Sequence, residues 1–167
     1  SVTNSCQRND AVVCTTTSSD AIDGLLDLQS FDSDGATFVI DDAFSVSVRV
    51  QGLFFNGASV TTGSYAVPGA TGNHSITGLS FQPQLVLFGT VSNTTANTVQ
   101  GLGRIGVGAA SGSSNRYAAV FTDNDNLETT TVKTYGLSTN CIALISTVVL
   151  YREDFVSMNS DGFTLNA

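Results

Sequence analysis

The chain contains no tryptophan, a single histidine, two prolines and one methionine in 167 residues. A glycosidase needs paired carboxylates in a cleft with flanking aromatic side chains, and a zinc site needs a cluster of cysteine and histidine. The sequence offers neither, and it lacks the Gly-x-Ser-x-Gly turn that carries a catalytic serine. We therefore predict a non-enzymatic protein with no catalytic residue, no cofactor and no metal ion.

Charged residues are also scarce, at 12% of the chain, and fourteen acids outnumber six bases to give a net charge of −8. A protein that binds nucleic acid needs grouped cations that displace counterions from the phosphates. The bases here are scattered, so we predict no nucleic-acid partner and no binding to anionic membranes. They are Arg8, Arg49, Arg104, Arg116, Lys133 and Arg152.

No apolar run approaches the roughly 18 to 20 residues that a membrane-spanning helix requires. Most polar positions hold Ser, Thr, Asn or Gly rather than a charged residue, although solvent-facing surfaces usually carry more charge. This composition is typical of a protein that packs against copies of itself or against a neighbour. Secreted β-proteins share it.

Three cysteines, Cys6, Cys14 and Cys141, are an odd number that cannot form a complete disulfide framework. Cys6 and Cys14 could close a small loop in an oxidising environment. The interpretation that the sequence favours is that all three are buried thiols of a protein assembled in a reducing cytoplasm.

Turn-forming clusters recur about every 8 to 12 residues and separate about ten short runs with the composition of strands. This pattern predicts an all-β protein with an antiparallel β-sandwich or jelly-roll-like fold. Residues 44–50 alternate apolar and polar side chains, as a half-exposed strand does. Residues 85–88 form a continuous apolar run, which predicts a central strand covered on both faces.

Glycine marks two predicted turns and one unusual strand. Asp-Ser-Asp-Gly at residues 32–35 and Asn-Ser-Asp-Gly at residues 159–162 predict hairpins, because Asp and Gly tolerate left-handed backbone angles. The flanking residues also agree loosely, which indicates that the first part of the chain copies the closing third of a larger unit. From 102 to 108, glycines alternate with large residues, as in a strand crowded on one face by another backbone.

The repeated turn suggests a division of the chain. Residues 1–44 are predicted to form an N-terminal arm and a β-hairpin extension, and residues 45–167 a β-sandwich domain. The arm itself, residues 1–20, is polar except for a strand-like kernel that contains Val12 and Val13. An unpaired strand of this kind can add to the sheet of a neighbouring subunit.

Several acids admit a functional interpretation. Asp123, Asp125 and Glu128 have a spacing that could wrap calcium, but they supply fewer oxygen ligands than a calcium loop needs. A solvated turn is the favoured interpretation. The same holds for Asp32, Asp34, Asp41 and Asp42, which are expected to form turns.

His74 stands beside Ser75, which raises the alternative of a nucleophilic triad. No strained nucleophile turn is present, so we interpret His74 as a histidine of a surface loop. The Asn-x-Ser/Thr triplets at residues 73–75 and 93–95 match the glycan acceptor pattern. They matter only in a protein secreted from a eukaryote.

The order of these elements resembles a β-unit of tailed-bacteriophage virion proteins. That unit opens with a Val-x-Val strand, continues through a Pro-containing apolar strand, a Gly-x-Gly strand, an Arg-Tyr-Ala strand and a Cys-Ile strand, and closes with Ser-x-x-x-Asp-Gly-Phe-Thr-Leu-Asn. The corresponding residues here are 46–50, 79–88, 105–108, 116–120, 141–144 and 155–166.

The resemblance implies a virion structural protein, assembled in the host cytoplasm, that decorates the capsid as a cement protein. Its expected partners are further copies of itself, as a homotrimer, and the major capsid protein or another virion protein. The alternative is a tail-fibre or receptor-binding subunit that presents tyrosines to a host surface glycan. The candidate partner-binding residues are Arg8, Val12, Val13, Tyr65, Tyr117 and Tyr135.

Overall fold

The computed structural model describes residues 5–19, 21–92, 95–124, 132–145 and 148–167. Within these ranges the regular secondary structure consists of β-strands, with no helix. The strands form four antiparallel sheets. The predicted all-β class is therefore confirmed.

Thirteen strands lie in the described part of the chain, and most are bounded by the Gly, Asn, Asp and Ser clusters that the sequence marks as turns. They are β1 Ser5–Gln7, β2 Val13–Thr16, β3 Ile22–Phe31, β4 Ala36–Asp42, β5 Asn73–Ile76, β6 Val86–Val91, β7 Thr98–Gln100, β8 Leu102–Gly112, β9 Asn115–Asn124, β10 Lys133–Leu137, β11 Ile142–Ile145, β12 Val149–Asn159 and β13 Gly162–Asn166. Their sheets have the orders β10-β9-β8-β6, β11-β12-β13-β5, β2-β3-β4 and β1-β7.

The chain forms two compact units. Unit 1 comprises Ser1–Gln51, Val91–Arg104 and Thr122–Val132, and unit 2 comprises Gly52–Thr90, Ile105–Phe121 and Lys133–Ala167. Neither unit is one continuous stretch of chain. The predicted division at residue 44 stays a prediction.

The core of unit 2 is built from both of its four-stranded sheets. Phe155 and Leu165 are buried together with Ala110 of β8. The ring of Phe163 stacks on Phe155 at a centroid distance of 6.1 Å and meets Phe88 edge-on at 5.8 Å. Inward-facing side chains of two sheets thus share one core, as in a β-sandwich.

Two glycines of β8 lie against the backbone of a neighbouring segment. A Cβ atom added to Gly106 would collide with the carbonyl oxygen of Ala143, and one added to Gly108 with the carbonyl oxygen of Cys141. A backbone carbonyl cannot swing aside as a flexible side chain can. The crowding predicted for this strand is therefore confirmed.

Unit 1 contains a disulfide between Cys6 of β1 and Cys14 of β2. The two Cα atoms lie 6.8 Å apart, at the upper end of the disulfide range. The interpretation of all three cysteines as free thiols is wrong for this pair. Cys141 is a buried free thiol.

The sheet β2-β3-β4 of unit 1 repeats the pairing of β11-β12-β13 in unit 2. Ser30 of β3 lies opposite Thr37 of β4, and Ser157 of β12 lies opposite Thr164 of β13. In both pairs the register shifts by one residue just before the serine. The two hairpins that the sequence predicts are confirmed, and they are equivalent in register.

The hydrogen bonds around the two turns are also alike. The Asp32 carboxylate accepts a hydrogen bond of 2.9 Å from the hydroxyl of Ser30 and one of 2.7 Å from that of Thr37. Asn159 accepts one of 2.9 Å from the serine hydroxyl two residues earlier and donates one of 2.9 Å to the hydroxyl of Thr164. Asp32 is thus a turn former, as predicted.

The strand predicted at residues 44–50 is absent, since no strand lies between residues 43 and 72. Val46, Val48 and Val50 are all exposed. Alternation of apolar and polar side chains favours a strand only where a neighbouring strand satisfies the backbone hydrogen-bonding groups. The pattern alone does not supply that neighbour.

The apolar run at residues 85–88 also differs from expectation. β6 is an edge strand of its sheet, and only Val86 and Phe88 pack against the core. Leu85 and Leu87 are exposed. The prediction of a central strand covered on both faces is therefore wrong, because one of its two faces has no covering layer among the described residues of unit 2.

Candidate interaction surface

One face of the sheet β10-β9-β8-β6 is apolar and exposed in unit 2. Alternate residues of each strand point to opposite faces. On β8, Gly106 is buried whereas Ile105 and Val107 are exposed, and on β9 Ala118 is buried whereas Tyr117 is exposed. The core-facing residues are small or apolar, and the outward-facing residues are apolar as well.

We call this surface the apolar face. Its members share an outward position, no charge, and exposed fractions between 37% and 60%. Partly exposed side chains of this size present on the order of 400 to 500 Å² together. A patch of about 300 to 600 Å² is as large as a monomer usually shows, and a stable contact buries about 800 Å² per partner. The apolar face is formed by Leu87, Ile105, Val107, Tyr117 and Phe121.

A shallow open depression of about 430 Å³ lies on this face. Tyr117 and Tyr135 line it, together with Thr134 and Gly136. The phenol of Tyr117 lies against Gly136, where a Cβ atom would collide with its hydroxyl group. Two of the three tyrosines predicted from sequence to bind a partner are therefore neighbours here.

The third predicted tyrosine, Tyr65, has a different position. Its hydroxyl group donates a hydrogen bond to Oε2 of Glu153, which is wholly buried. Burial and the adjacent Glu153 carboxylate raise the pKa of Tyr65 far above its ordinary value. The polar end of this side chain is thus engaged inside unit 2.

The other predicted residues lie in unit 1. Val13 begins β2, which is an edge strand of its sheet, and the backbone N–H of Val12 bonds to the carbonyl oxygen of Leu26. Arg8 follows β1 and donates hydrogen bonds of 2.8 and 2.7 Å to the Asp10 carboxylate. Within the described part of the predicted arm, residues 5–19, β1 and β2 therefore pair with other strands of the chain.

The most unusual polar group of unit 2 is Glu153. Oε1 of this buried carboxylate accepts a hydrogen bond from the Tyr151 hydroxyl, and Nε2 of His74 lies 3.3 Å away. The thiol of Cys141 lies 3.6 Å from the Glu153 carbonyl oxygen. Burial raises the pKa of the Glu153 carboxyl, and burial next to Glu153 raises the pKa of Cys141 to about 12.

These residues, Tyr65, His74, Cys141, Tyr151 and Glu153, form what we call the Glu153 cluster. An acid, a histidine and a thiol are groups that catalysis can use. Glu153 is 0% exposed, however, so a substrate cannot reach its carboxylate. The geometry supports a role in holding the core of unit 2, where two tyrosines satisfy the buried carboxylate.

The sequence-based interpretation of His74 as a histidine of a surface loop is wrong. It lies on β5, opposite Leu165 of β13, with its side chain 22% exposed. Its ring lies 5.8 Å from the ring of Tyr65. The neighbouring Ser75 hydroxyl shares a hydrogen bond of 2.8 Å with Thr164 across the strands, so Ser75 is part of the sheet.

Of the three acids whose spacing could wrap calcium, only Asp123 lies in the described residues. Asp123 is buried at the end of β9 rather than in a solvated turn, and Asp125 and Glu128 lie outside the described residues. Across the ranges that the structure describes, no three His, Cys, Asp or Glu residues are grouped as metal ligands.

Sequence reasoning missed the aliphatic part of the apolar face. The sequence predicts a strand that contains Ile105 and Val107, but not the outward orientation of their side chains. The alternation with glycine could have revealed it, because a strand that places glycines against a neighbouring backbone turns its large residues to the other face. The Glu153 cluster was missed as well, since its members are far apart in sequence.

The described residues form an all-β protein of two units, and unit 2 exposes an apolar sheet face. Comparison of the chain with protein-family models, with curated proteins and with solved structures found no match. Among the described residues, no helix has the length and apolar character that crossing a membrane would take.

Proposed function

We propose that the chain is a structural protein of a bacteriophage virion that decorates the capsid and stabilises it through adhesive contacts. The observation that carries this proposal is the apolar face of unit 2, an exposed area of uncharged side chains on a β-sheet. The order of motifs that resembles virion β-units supports the same class of function.

The mechanism follows from many weak contacts made at once. One apolar face of this size gives a modest affinity, because a stable interface normally buries more area. Copies held together as an oligomer on a repeating shell bind with a much higher effective affinity than one copy. The proposed partners are the major capsid protein, or another virion protein, and further copies of the chain in a homotrimer.

The disulfide of unit 1 is compatible with assembly in the host cytoplasm. Disulfides persist in oxidising surroundings and are rare in a reducing cytoplasm. Cys6 and Cys14 would then be thiols during assembly and would pair once the particle is outside the cell. The virion remains the proposed location.

A charge placed on the apolar face tests the proposal. Val107→Lys adds a cation at the centre of the face without filling the core, so we expect normal folding but at least tenfold weaker binding to particles that lack the protein. Val60→Lys is the matched control, because Val60 is 59% exposed and lies outside the strands. Equal binding by wild type and Val107→Lys, measured by co-sedimentation with particles, would contradict the proposal.

A second candidate function is a tail-fibre or receptor-binding subunit. Its supporting observation is that Tyr117 and Tyr135 line one depression, where aromatic rings can stack on a sugar. Tyr65 is no longer part of this candidate, since its hydroxyl group is bound to Glu153. Binding to a glycan array that is lost in Tyr135→Ala, together with labelling at the tail, would favour it over decoration.

A further inference from the structure

Strand β4 is an exposed edge with an apolar sequence. It is the last strand of the sheet β2-β3-β4, and all of its residues after Ala36 are exposed. Phe38, Val39 and Ile40 form a continuous apolar run on it. An edge strand offers unpaired N–H and C=O groups, and without charged residues at its centre it is a template for another strand.

The repeated sheet of unit 2 indicates what belongs beside β4. The counterpart of β4 is β13, and β13 is covered on its outer side by β5, with Thr164 opposite Ser75. Leu165 of β13 is 0% exposed, whereas its counterpart Phe38 is 41% exposed. No strand pairs with the outer edge of β4 in the described residues.

We propose that β4 pairs antiparallel with β4 of a second copy of the chain, around a twofold axis at Val39. In this register Val39 faces its own counterpart and Phe38 faces Ile40. Pairs of aromatic and β-branched residues stabilise adjacent strands. The resulting sheet would run through both copies in the order β2-β3-β4-β4-β3-β2.

The charges of the hairpin are compatible with this register. The hairpin carries only acids, so an in-register parallel pairing of two copies would place Asp41 and Asp42 opposite their own counterparts. The antiparallel register centred on Val39 places Asp41 opposite Thr37 and Asp42 opposite Ala36. No two acids are then directly opposite each other. This matters because like charges in opposite positions destabilise a pair of adjacent strands.

Symmetry favours a second copy over an unrelated strand. In a twofold contact each copy uses the same surface, so one contact covers both exposed edges and leaves none to extend further. The contact uses β4 alone and does not depend on the virion role proposed above. By itself it gives a dimer, and combined with a homotrimer it gives six copies, so the number of chains is even in both cases.

The mass in solution tests this inference. We expect sedimentation equilibrium of the full chain to give an even multiple of the chain mass. Val39→Lys should halve that mass, because two cations would face each other across the axis. The monomer should remain folded, since Asp27 lies opposite Val39 within the hairpin and can pair with the introduced amine.

Two further variants separate pairing at β4 from general effects of charge. Val60→Lys, at an exposed position outside the strands, should leave the mass unchanged. An equimolar mixture of Val39→Lys and Val39→Glu should recover the mass of the wild type, because opposite charges then meet at the axis. A monomer or an odd number of chains in the wild type, or an unchanged mass in Val39→Lys, would overturn the proposal.

Discussion

The hairpins β3-β4 and β12-β13 share their register, their register shift and the hydrogen bonds around their turns, yet one is exposed and the other is buried. Phe163 and Leu165 of β13 are buried in the core of unit 2. The matching residues of β4, Ala36 and Phe38, are not. Local turn chemistry therefore sets the hairpin, and the neighbouring layers set its burial.

The same contrast extends to the preceding strands. The backbone N–H of Val12 bonds to the Leu26 carbonyl at 2.8 Å, and that of Cys141 bonds to the Glu153 carbonyl at 2.9 Å. Val12 and Leu26 thus occupy the positions that Cys141 and Glu153 hold in the Glu153 cluster. Where unit 2 has the buried polar side chains Cys141 and Glu153, unit 1 thus has the apolar side chains Val12 and Leu26.

The strongest test of this contrast compares Leu165→Ala with Phe38→Ala. We expect Leu165→Ala to lower the free energy of unfolding by about 2 to 5 kcal/mol, because it leaves a cavity in a packed core. Phe38→Ala should cost about 1 kcal/mol or less in dilute protein, since its side chain is already partly in water. Urea unfolding followed by circular dichroism measures both, and equal losses would show that β4 is buried as deeply as β13.

Reduction of the disulfide should affect unit 1 selectively. Opening a loop as short as that between Cys6 and Cys14 is expected to cost about 2 to 3 kcal/mol. In thermal unfolding scans, the midpoint temperature of unit 1 should therefore be lower with reductant than without it. Protection of β12 and β13 amides in hydrogen exchange should stay unchanged, and a loss there would contradict independent stability of the two hairpins.

Glu153→Gln should change how stability depends on pH. Burial raises the pKa of Glu153 above its value of about 4.3 in an unfolded chain, so the folded state binds the proton more tightly. The contribution of Glu153 to stability is therefore full below about pH 4 and is lost as pH rises through the folded pKa. The free energy of unfolding of the wild type, minus that of Glu153→Gln, should fall over that range.

The matched control is Leu26→Gln, at the equivalent position of β3. Because Leu26 is not ionisable, the difference between this variant and the wild type should not vary with pH. Denaturant titrations from pH 4 to pH 8 give both differences. If the Glu153→Gln difference were equally flat, the buried carboxylate would titrate in the folded protein as it does in the unfolded chain.

The last expected effect concerns alkaline pH. The pKa of Cys141 rises from 9.0 to about 12, so between these values the unfolded chain loses the thiol proton while the folded protein keeps it. Stability should fall there by up to about 1.4 kcal/mol per pH unit. Cys141→Ala should have a shallower decline, whereas Val12→Ala, at the equivalent exposed position, should follow the wild type.

The hairpins and the glycine-rich strand could be predicted from the sequence because their causes are local. Asp and Gly at residues 32–35 and 159–162 fix two turns by their own backbone preferences. The alternation of glycine with large residues from 102 to 108 indicates that a neighbouring backbone lies close to one face of that strand. In each case the residues that carry the pattern also form the structure.

The remaining features depend on contacts between distant parts of the chain. Residues 44–50 have the pattern of a strand, but no neighbouring strand pairs with them in the described residues. Tyr65 and Glu153 meet only after β12 has been placed in its sheet. Residues 85–88 are apolar on both faces although one face is exposed, so composition could not distinguish a covered face from a face that is free for a partner.

Because of Gly106 and Gly108, the two faces of β8 should differ in their tolerance to amino-acid substitution. In a saturation library, most codons at these two positions would be depleted, because any Cβ atom meets a carbonyl oxygen. At Ile105 and Val107, which point away from the core, many codons would survive selection for folding alone. The tolerance of this strand to substitution would thus alternate residue by residue. If fewer residue types survive at 105 and 107 under selection for particle assembly than under selection for folding alone, the difference would indicate that these side chains contact a partner.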